Sequence, residues 1–230
     1  LLLDLGSPAY RAMCDGSYDD FVWPALPAAA EVNGAVMDIG AHIGYDTLAF
    51  ASMYPERKVI AFEPNPVNLE RIEANLSLNP ELAGRIQVMG VALADSNGDL
   101  AFQTSDKVDD ETSSGGHLGS IRPPLEEHIY AMAGFKETVV PVRRLDDIAR
   151  EQAWGRIGLM KIDVEGAEHL VLEGAREILG RDHPVLCIEV HSIGCMLAVD
   201  AILGPLGYGI TLLHEHRPGR AHIIARVRHS

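Results

Sequence analysis

Positive charge is scarce in this chain. Nineteen Lys and Arg stand against 33 Asp and Glu over 230 residues, a formal net charge of −14. So acidic a chain has little attraction for nucleic-acid phosphates or an anionic membrane surface. The short basic groups, Arg143–Arg144 and the tail Arg217, Arg220, Arg226 and Arg228, read as solvated faces or sheet edges. Cysteine is almost missing too. Cys14, Cys187 and Cys195 are odd in number and lack metal-ligand spacing, which argues against a disulfide scaffold or a zinc site and fits a reducing compartment. Cys187, inside "PVLCIEV", reads as a small core residue. No apolar run is long enough to span a membrane. The opening "LLLDLGSPAY" is too short and too acidic for a secretory leader, and the chain does not start with Met, as a fragment or a processed chain would not. The working expectation is a soluble cytoplasmic protein built on one α/β domain.

What is present is a regular alternation of strands and helices. Residues 1–33, with "FVWPALPAAA", read as a lead-in of short helix and Pro-broken turns, and residues 34–230 as a single domain. Strands are expected at Val36–Ile39, Lys58–Phe62 and Ile86–Leu93, with helices at Tyr45–Tyr54 and Asn65–Asn79 between them. Pro66 suits the first turn of that second helix, where its missing N–H costs nothing. This order implies right-handed parallel crossovers and an open twisted sheet with helices on both faces. "DSNGDLAFQ" reads as a tight turn into an added strand. Residues 105–137, which include "DDETSSGGHLGSI" and a short helix at "PLEEHIYAMAG", read as a substrate lid or binding insertion, with Ser113, Ser114 and His117 as its contact candidates and Asp109, Asp110 and Glu111 as a solvated run. Regular structure resumes with "TVVPVRRL", a helix over Leu145–Ala153 begun by Asp146–Asp147, a strand at Gly158–Val164, a helix at Ala167–Leu179 closed by Gly180, a strand at Val185–Val190 and a helix near Met196–Leu203. Two final apolar runs around "RPGR" read as a terminal antiparallel hairpin. Its histidines His214, His216, His222 and His229 are expected to face solvent.

"VMDIGAHIGYDTLAF" is a strand, a Gly-bracketed turn and a helix, and ligands of open α/β sheets sit at such strand ends. The dinucleotide fingerprint G-x-G-x-x-G is absent. Asp38 would repel a pyrophosphate but suits a cationic amine. Glu63 ends the second strand 23 residues after Gly40, where an acid accepts hydrogen bonds from ribose hydroxyls. Ribose recognition beside an amino-acid-binding turn describes S-adenosylmethionine.

"VMDIGAHIGYDTLAFA", "VIAFEPNPVNLERIEANLSLN", "VALADSNGDLAF", "RRLDDI", "MKIDVEGAEHLVLEGA" and "PVLCIEVH" occur in the order and character of the FkbM-type methyltransferases. The resemblance runs from about Val36 to His191. It implies a class I, Rossmann-like methyltransferase fold with a seven-stranded, mostly parallel sheet and a C-terminal antiparallel hairpin. It also implies S-adenosylmethionine-dependent methylation, typically of a hydroxyl on a sugar, glycan, polyketide or other small metabolite. The cofactor is then expected at Asp38, Gly40, His42, Gly44 and Thr47 after the first strand, at Glu63, Pro64 and Asn65 after the second, and at Ala92 and Asp163. One departure is His42, where the family usually carries Asn.

The stretch "KIDVEGAE" places Asp163 and Glu165 where an apolar strand runs out, and "IEVH" places Glu189 and His191 at the end of the next. Adjacent parallel strands would open these four groups onto the same crevice as Gly40. An alcohol is a poor nucleophile until it loses a proton. The group suits either a general base, worth about 10²–10⁴-fold, or a divalent cation such as Mg held by Asp163 and Glu189. Plainer roles stand beside these: Glu165 as an acid complementing a helix dipole, Asp163 as a contact for the methionine amine, and His191 as a capped loop histidine. The expected partner is a small hydroxyl-bearing acceptor, not nucleic acid or membrane, with oligomeric state open. The competing readings are a cofactor-binding domain without turnover, a nicotinamide-dependent dehydrogenase and, least favoured, a nucleic-acid methyltransferase.

Overall fold

The computed structural model describes residues 8–18, 20, 22–104, 116–119, 136–217 and 220–227. Two sheets organise it. The larger has seven strands in the order β10-β11-β9-β8-β1-β2-β3: β1 is Ala35–Ile39, β2 Val59–Phe62, β3 Ile86–Met89, β8 Ile157–Ile162, β9 Val185–Val190, β10 Tyr208–Arg217 and β11 Arg220–Val227. All neighbours are parallel except β11, which runs antiparallel to both β9 and β10. This is the expected seven-stranded sheet with its terminal hairpin. β1 is buried along its whole length, as a central parallel strand covered on both faces must be. One face packs Leu145, Ile148, Val171, Leu172, Ile178 and Val199 against Met37, Ile39 and Met160. The other packs the lead-in residues Val22, Leu26 and Val32 with Phe50, Tyr54 and Leu159.

Within the lead-in, α1 (Pro8–Asp15) and a 3-10 turn at Trp23–Ala25 precede β1. Arg226 of β11 donates to the Ala25 carbonyl at 2.6 Å, tying this segment to the far end of the chain. The crossover helices α2 (Tyr45–Met53) and α3 (Pro66–Ser77) lie close to expectation, and the short α4 (Pro80–Ala83) follows. Asn65 caps α3, its side chain accepting from the Val67 N–H at 3.1 Å.

Three expected elements came out differently. The strand read as Ile86–Leu93 is broken: the chain turns at Gly90, with the Val91 N–H donating to the Met89 carbonyl, and β4 (Ala92–Leu93) pairs in a second sheet. That sheet, in the order β4-β7-β5-β6, contains β5 (Gly98–Thr104), β6 (His117–Leu118) and β7 (Lys136–Arg143). Of the lid candidates, His117 is buried in β6, opposite Gln103. Ser113, Ser114, the acidic run 109–111 and the helix expected at 124–134 fall outside the described residues.

The helix read as Ala167–Leu179 is two helices, α6 (Glu168–Glu173) and α7 (Arg176–Asp182), preceded in chain order by α5 (Leu145–Gln152). The break has a tertiary cause. A Cβ on Gly174 would lie 2.1 Å from the Ala94 carbonyl oxygen, so the chain passes β4 only as glycine. The N–H groups of Glu177 and Ile178 are then taken by the buried Asp146 carboxylate, each at 3.1 Å. Asp146 therefore caps a neighbouring helix rather than merely opening its own. Gly180 lies inside α7, which ends at His183 in the left-handed conformation. The last helix, α8, begins earlier than expected, at Ile193–Leu203, with Ser192 as its cap.

Candidate active site

After β1 the chain moves through β2 to β3 on one side, and later returns to β8 and β9 on the other. The C-terminal end of β1 is thus the switch point at which open α/β sheets form a crevice. Register decides what lines it. Ile39 pairs with Phe62 and with Ile162, and Ile162 pairs with Ile188. One step further along each strand come Glu63, Gly40, Asp163 and Glu189, side by side at one edge. They border an open crevice at the strand ends, where open α/β sheets hold their ligands. Gly40 is required there twice over: its φ is +83°, and a Cβ would lie 1.8 Å from the Asp163 carbonyl oxygen.

Glu63 is buried and held by two backbone donors, His42 N–H to Oε2 and Asn65 N–H to Oε1, each at 2.8 Å. The Asn68 side chain donates to it as well, which leaves a carboxylate acceptor room for one more donor. Burial pushes its pKa up from 4.5 to about 7 against these hydrogen bonds. A raised folded-state pKa contributes stability that is present below pH 4.5 and lost as pH rises through about 7. The contribution is about 3 kcal/mol. The ligand-free protein is therefore expected to lose about 3 kcal/mol more between pH 4.5 and pH 8 than Glu63→Gln, which cannot ionise; parallel curves from denaturant titrations at the two pH values would contradict this.

His42 stands at φ +52°, in the left-handed region that Asn and His adopt more readily than most residues. The departure from Asn that the resemblance implies therefore keeps the turn. Burial, aided by Lys161, lowers the His42 pKa to about 4, so the ring is neutral at pH 7. Asp38 differs from expectation. It is fully buried behind the turn, accepting from the Thr47 hydroxyl at 2.5 Å and lying 3.6 Å from Lys161 Nζ, and it does not border the crevice. Gly44, Thr47 and Asn65 likewise support the turn from outside the crevice, whereas Gly40, His42, Glu63, Pro64, Ala92 and Asp163 line it.

Asp163, Glu165 and Glu189 face the crevice, and His191 sits beneath them, 2 % exposed. Its Nε2 is 3.3 Å from Glu165 Oε2, 3.7 Å from Asp163 Oδ1 and 3.9 Å from Glu189 Oε1. None of these contacts is an aligned hydrogen bond, so Nε2 is a buried polar atom without one. Nδ1 meets Glu168 at 2.8 Å. Burial disfavours the imidazolium, but Glu168, Glu165 and Asp163 outweigh it and raise the His191 pKa to about 9. At pH 7 the ring is thus charged and is a proton donor, not a base. It lies in the loop after β9 with Nδ1 held by Glu168, as the plainer reading of a capped loop histidine also expects. Glu165 lies in the turn before α6, at φ +53°, so it is not the first-turn acid of a helix; burial raises its pKa to about 7.

Several site residues escaped the sequence reading. Lys161 Nζ is 3.3 Å from Asp46, 3.4 Å from Asp163 and 3.6 Å from Asp38, and donates to the Gly40 carbonyl at 3.2 Å. A lone Lys inside an apolar strand was the available signal. Arg220, read as a solvated edge, instead donates to Glu189 at 2.5 Å and lies 3.8 Å from Glu165. His222, expected in solvent, is buried with Nε2 3.6 Å from Glu189; His214 is exposed as expected. The crevice walls also include Met13 and Tyr18 of the lead-in and Phe102 and Leu118 of the second sheet. No local motif announces those four.

A switch-point crevice edged by acids, in a β3-β2-β1-β8-β9 parallel core closed by an antiparallel hairpin, defines a class I methyltransferase fold. The chain belongs to the family described as the methyltransferase FkbM domain, whose family model matches residues 38–208. It is 31% identical over 199 residues to methyltransferase sdnD of Sordaria araneosa, covering 78% of this chain and 75% of that protein. It is 33% identical over 147 residues to the 2-O-methyltransferase NoeI of Sinorhizobium fredii, covering 63% of this chain and 58% of that one. Among solved structures, the methyltransferase FkbM of Methylobacillus flagellatus superposes with a TM-score of 0.57 at 22% identity, over 84% of this chain and 43% of that one. The chain thus spans less than two thirds of two of these three proteins. The helices of the described residues include none long and apolar enough to cross a membrane.

Proposed function

We propose that this domain transfers a methyl group from S-adenosylmethionine to a hydroxyl of a small metabolite of sugar, glycan or polyketide type. The observation that carries the reading is the row Glu63, Gly40, Asp163 and Glu189 along one crevice. The row has Glu63, assigned in this reading to the ribose, on one side of the glycine turn and the carboxylates of Asp163 and Glu189, beside which Glu165 lies, on the other. When bound, S-adenosylmethionine supplies the electrophilic methyl. Glu63 offers its remaining lone pair to a ribose hydroxyl, with Pro64 and Ala92 beside it. Gly40 and His42 shape the turn that Asp38, Gly44, Thr47 and Asn65 brace. Asp46 and Asp163 are the acids nearest the methionine amine. Glu165 lies at the crevice edge among the clustered acids and takes the acceptor's proton; Asp163 and Glu189 orient the hydroxyl. The relative NoeI carries O-methylation in its name, which agrees with an oxygen acceptor.

A second reading follows from the same cluster. Asp163, Glu189 and His191 can each present one ligand atom within 4.8 Å of the others, and Nε2 lacks an aligned hydrogen bond. All three residues together fit a divalent transition ion, and the carboxylates of Asp163 and Glu189 alone fit Mg; either ion would lower the pKa of a bound hydroxyl. As a ligand, His191 would have to release its Nε2 proton.

Calorimetric titration with S-adenosylhomocysteine tests both. The expected outcome is micromolar binding, about −8 kcal/mol, weakened roughly 10- to 100-fold in Glu63→Ala, where two buried N–H groups and the ribose lose their acceptor. A folded protein that does not bind would overturn the cofactor assignment. Heat from added magnesium, absent with chelator, favours the cation; its absence favours Glu165 alone. Binding without turnover on any hydroxyl acceptor would point to a domain that only holds the cofactor.

A further inference from the structure

Beneath the crevice one carboxylate has no role in the scheme above. Glu168, the first residue of α6, is fully buried. Its Oε1 accepts from the Gly166 N–H and meets His191 Nδ1, both at 2.8 Å, and its Oε2 accepts from the Cys195 thiol at 2.8 Å. An acid with no exposed surface is unusual unless paired, and here each partner comes from a different part of the fold. Gly166 belongs to the turn that carries Glu165. His191 follows β9, which carries Glu189. Cys195 lies in the first turn of α8, the helix that follows β9. Glu168 therefore joins the two strand ends that supply the acid cluster.

The bond to Nδ1 has a directional consequence. An imidazole is planar with its two nitrogens on opposite flanks, so anchoring Nδ1 on Glu168 turns Nε2 towards Asp163, Glu165 and Glu189. We propose that Glu168 is a positioning residue for the reaction: it clamps His191 through Nδ1 so that Nε2 is the nitrogen offered to the crevice acids, and it does so without touching substrate or cofactor. The idea rests on the acid cluster being the reacting end of the crevice. It does not depend on whether Nε2 serves as a hydrogen-bond donor to the acids or as a cation ligand, because a carboxylate on the remote nitrogen orients the ring in either case.

Glutamine and leucine at this position separate orientation from charge. In Glu168→Gln the amide oxygen can occupy the Oε1 position and still accept from Gly166 and His191, while the amide nitrogen faces a sulfur that accepts weakly. In Glu168→Leu both acceptors vanish. The readout is the imidazole N–H region of the proton NMR spectrum of the whole chain, with histidine labelled by ¹⁵N. The wild type is expected to show a downfield, slowly exchanging proton that is missing in His191→Ala, and so belongs to that ring, and that two-bond ¹H–¹⁵N correlations place on Nδ1. It should disappear in Glu168→Leu and persist, shifted upfield, in Glu168→Gln. A signal unchanged in Glu168→Leu, or none in the wild type, would overturn the clamp. Should Glu168→Leu fail to fold, the upfield shift in Glu168→Gln decides, since a signal indifferent to loss of the charge cannot come from a proton held by Glu168.

With a hydroxyl acceptor in hand, kcat should fall about 10- to 100-fold in Glu168→Leu and markedly less in Glu168→Gln, with S-adenosylhomocysteine affinity unchanged in both. An equal loss of kcat in the two variants would contradict the ring's orientation as the cause. If instead His191→Ala keeps full activity, the reading of the acid cluster fails, while the NMR result on the clamp stands by itself.

Discussion

Lys161→Met is expected to destabilise the domain by about 3–5 kcal/mol at pH 8, because removing one partner of a buried ion cluster leaves the others uncompensated. Three carboxylates, Asp38, Asp46 and Asp163, converge on Lys161 Nζ within 3.6 Å, and its pKa stands well above 10.5 although burial opposes the charge. Methionine fills a similar volume, so the loss reports charge more than packing. The sign with pH follows from the acids. Burial raises both Asp46 and Asp163; Lys161 counters it, leaving Asp46 at about 6 and Asp163 at about 2. In the variant both titrate higher, so protonation relieves the repulsion and the deficit shrinks as pH falls towards 5.5. Denaturant titrations at the two pH values measure it. A loss below about 1 kcal/mol at pH 8 would mean that water, not the lysine, compensates the acids.

Glu165→Gln is expected to lower kcat by about 10²–10⁴-fold, the range for removing a general base. Its affinity for S-adenosylhomocysteine should stay within a few-fold of wild type, since the proposed scheme gives Glu165 to the acceptor and not to the cofactor. The glutamine keeps the shape of the side chain in a turn whose backbone is already strained at φ +53°. Steady-state rates with an acceptor drawn from a panel of glycan and polyketide hydroxyls check it. Full activity in the variant would remove Glu165 from the chemistry and leave Asp163 and Glu189, with or without a cation, to handle the proton.

The expectations that held were those set by local physics. Apolar runs of strand length bounded by Gly or Pro gave β1, β2 and β9 nearly to the residue, and Pro66 after Asn65 marked the start of α3. The acids at strand ends were equally legible: a carboxylate directly after a buried strand has to serve a ligand, an ion partner or a cap. The ordered blocks from Val36 to His191 pointed to the methyltransferase FkbM domain, to which the chain belongs.

What the sequence could not supply depended on partners distant along the chain. Gly174 looks like any helical glycine until Ala94 lies against it, and the split of α6 from α7 follows from that approach together with the acceptor that Asp146 provides. Asp38, read as a ligand for an amine, is turned away by Thr47 and Lys161. Arg220 and His222 look like surface residues of a terminal hairpin until β11 inserts beside β9 and sets them against Glu189. The residue types and their periodicity determined by themselves that this protein is a parallel α/β domain with acids at its strand ends. Only the tertiary structure decided which of those acids meet the crevice and which meet a buried base, because pairing register and strand order place one charge beside another, and no single segment carries that information.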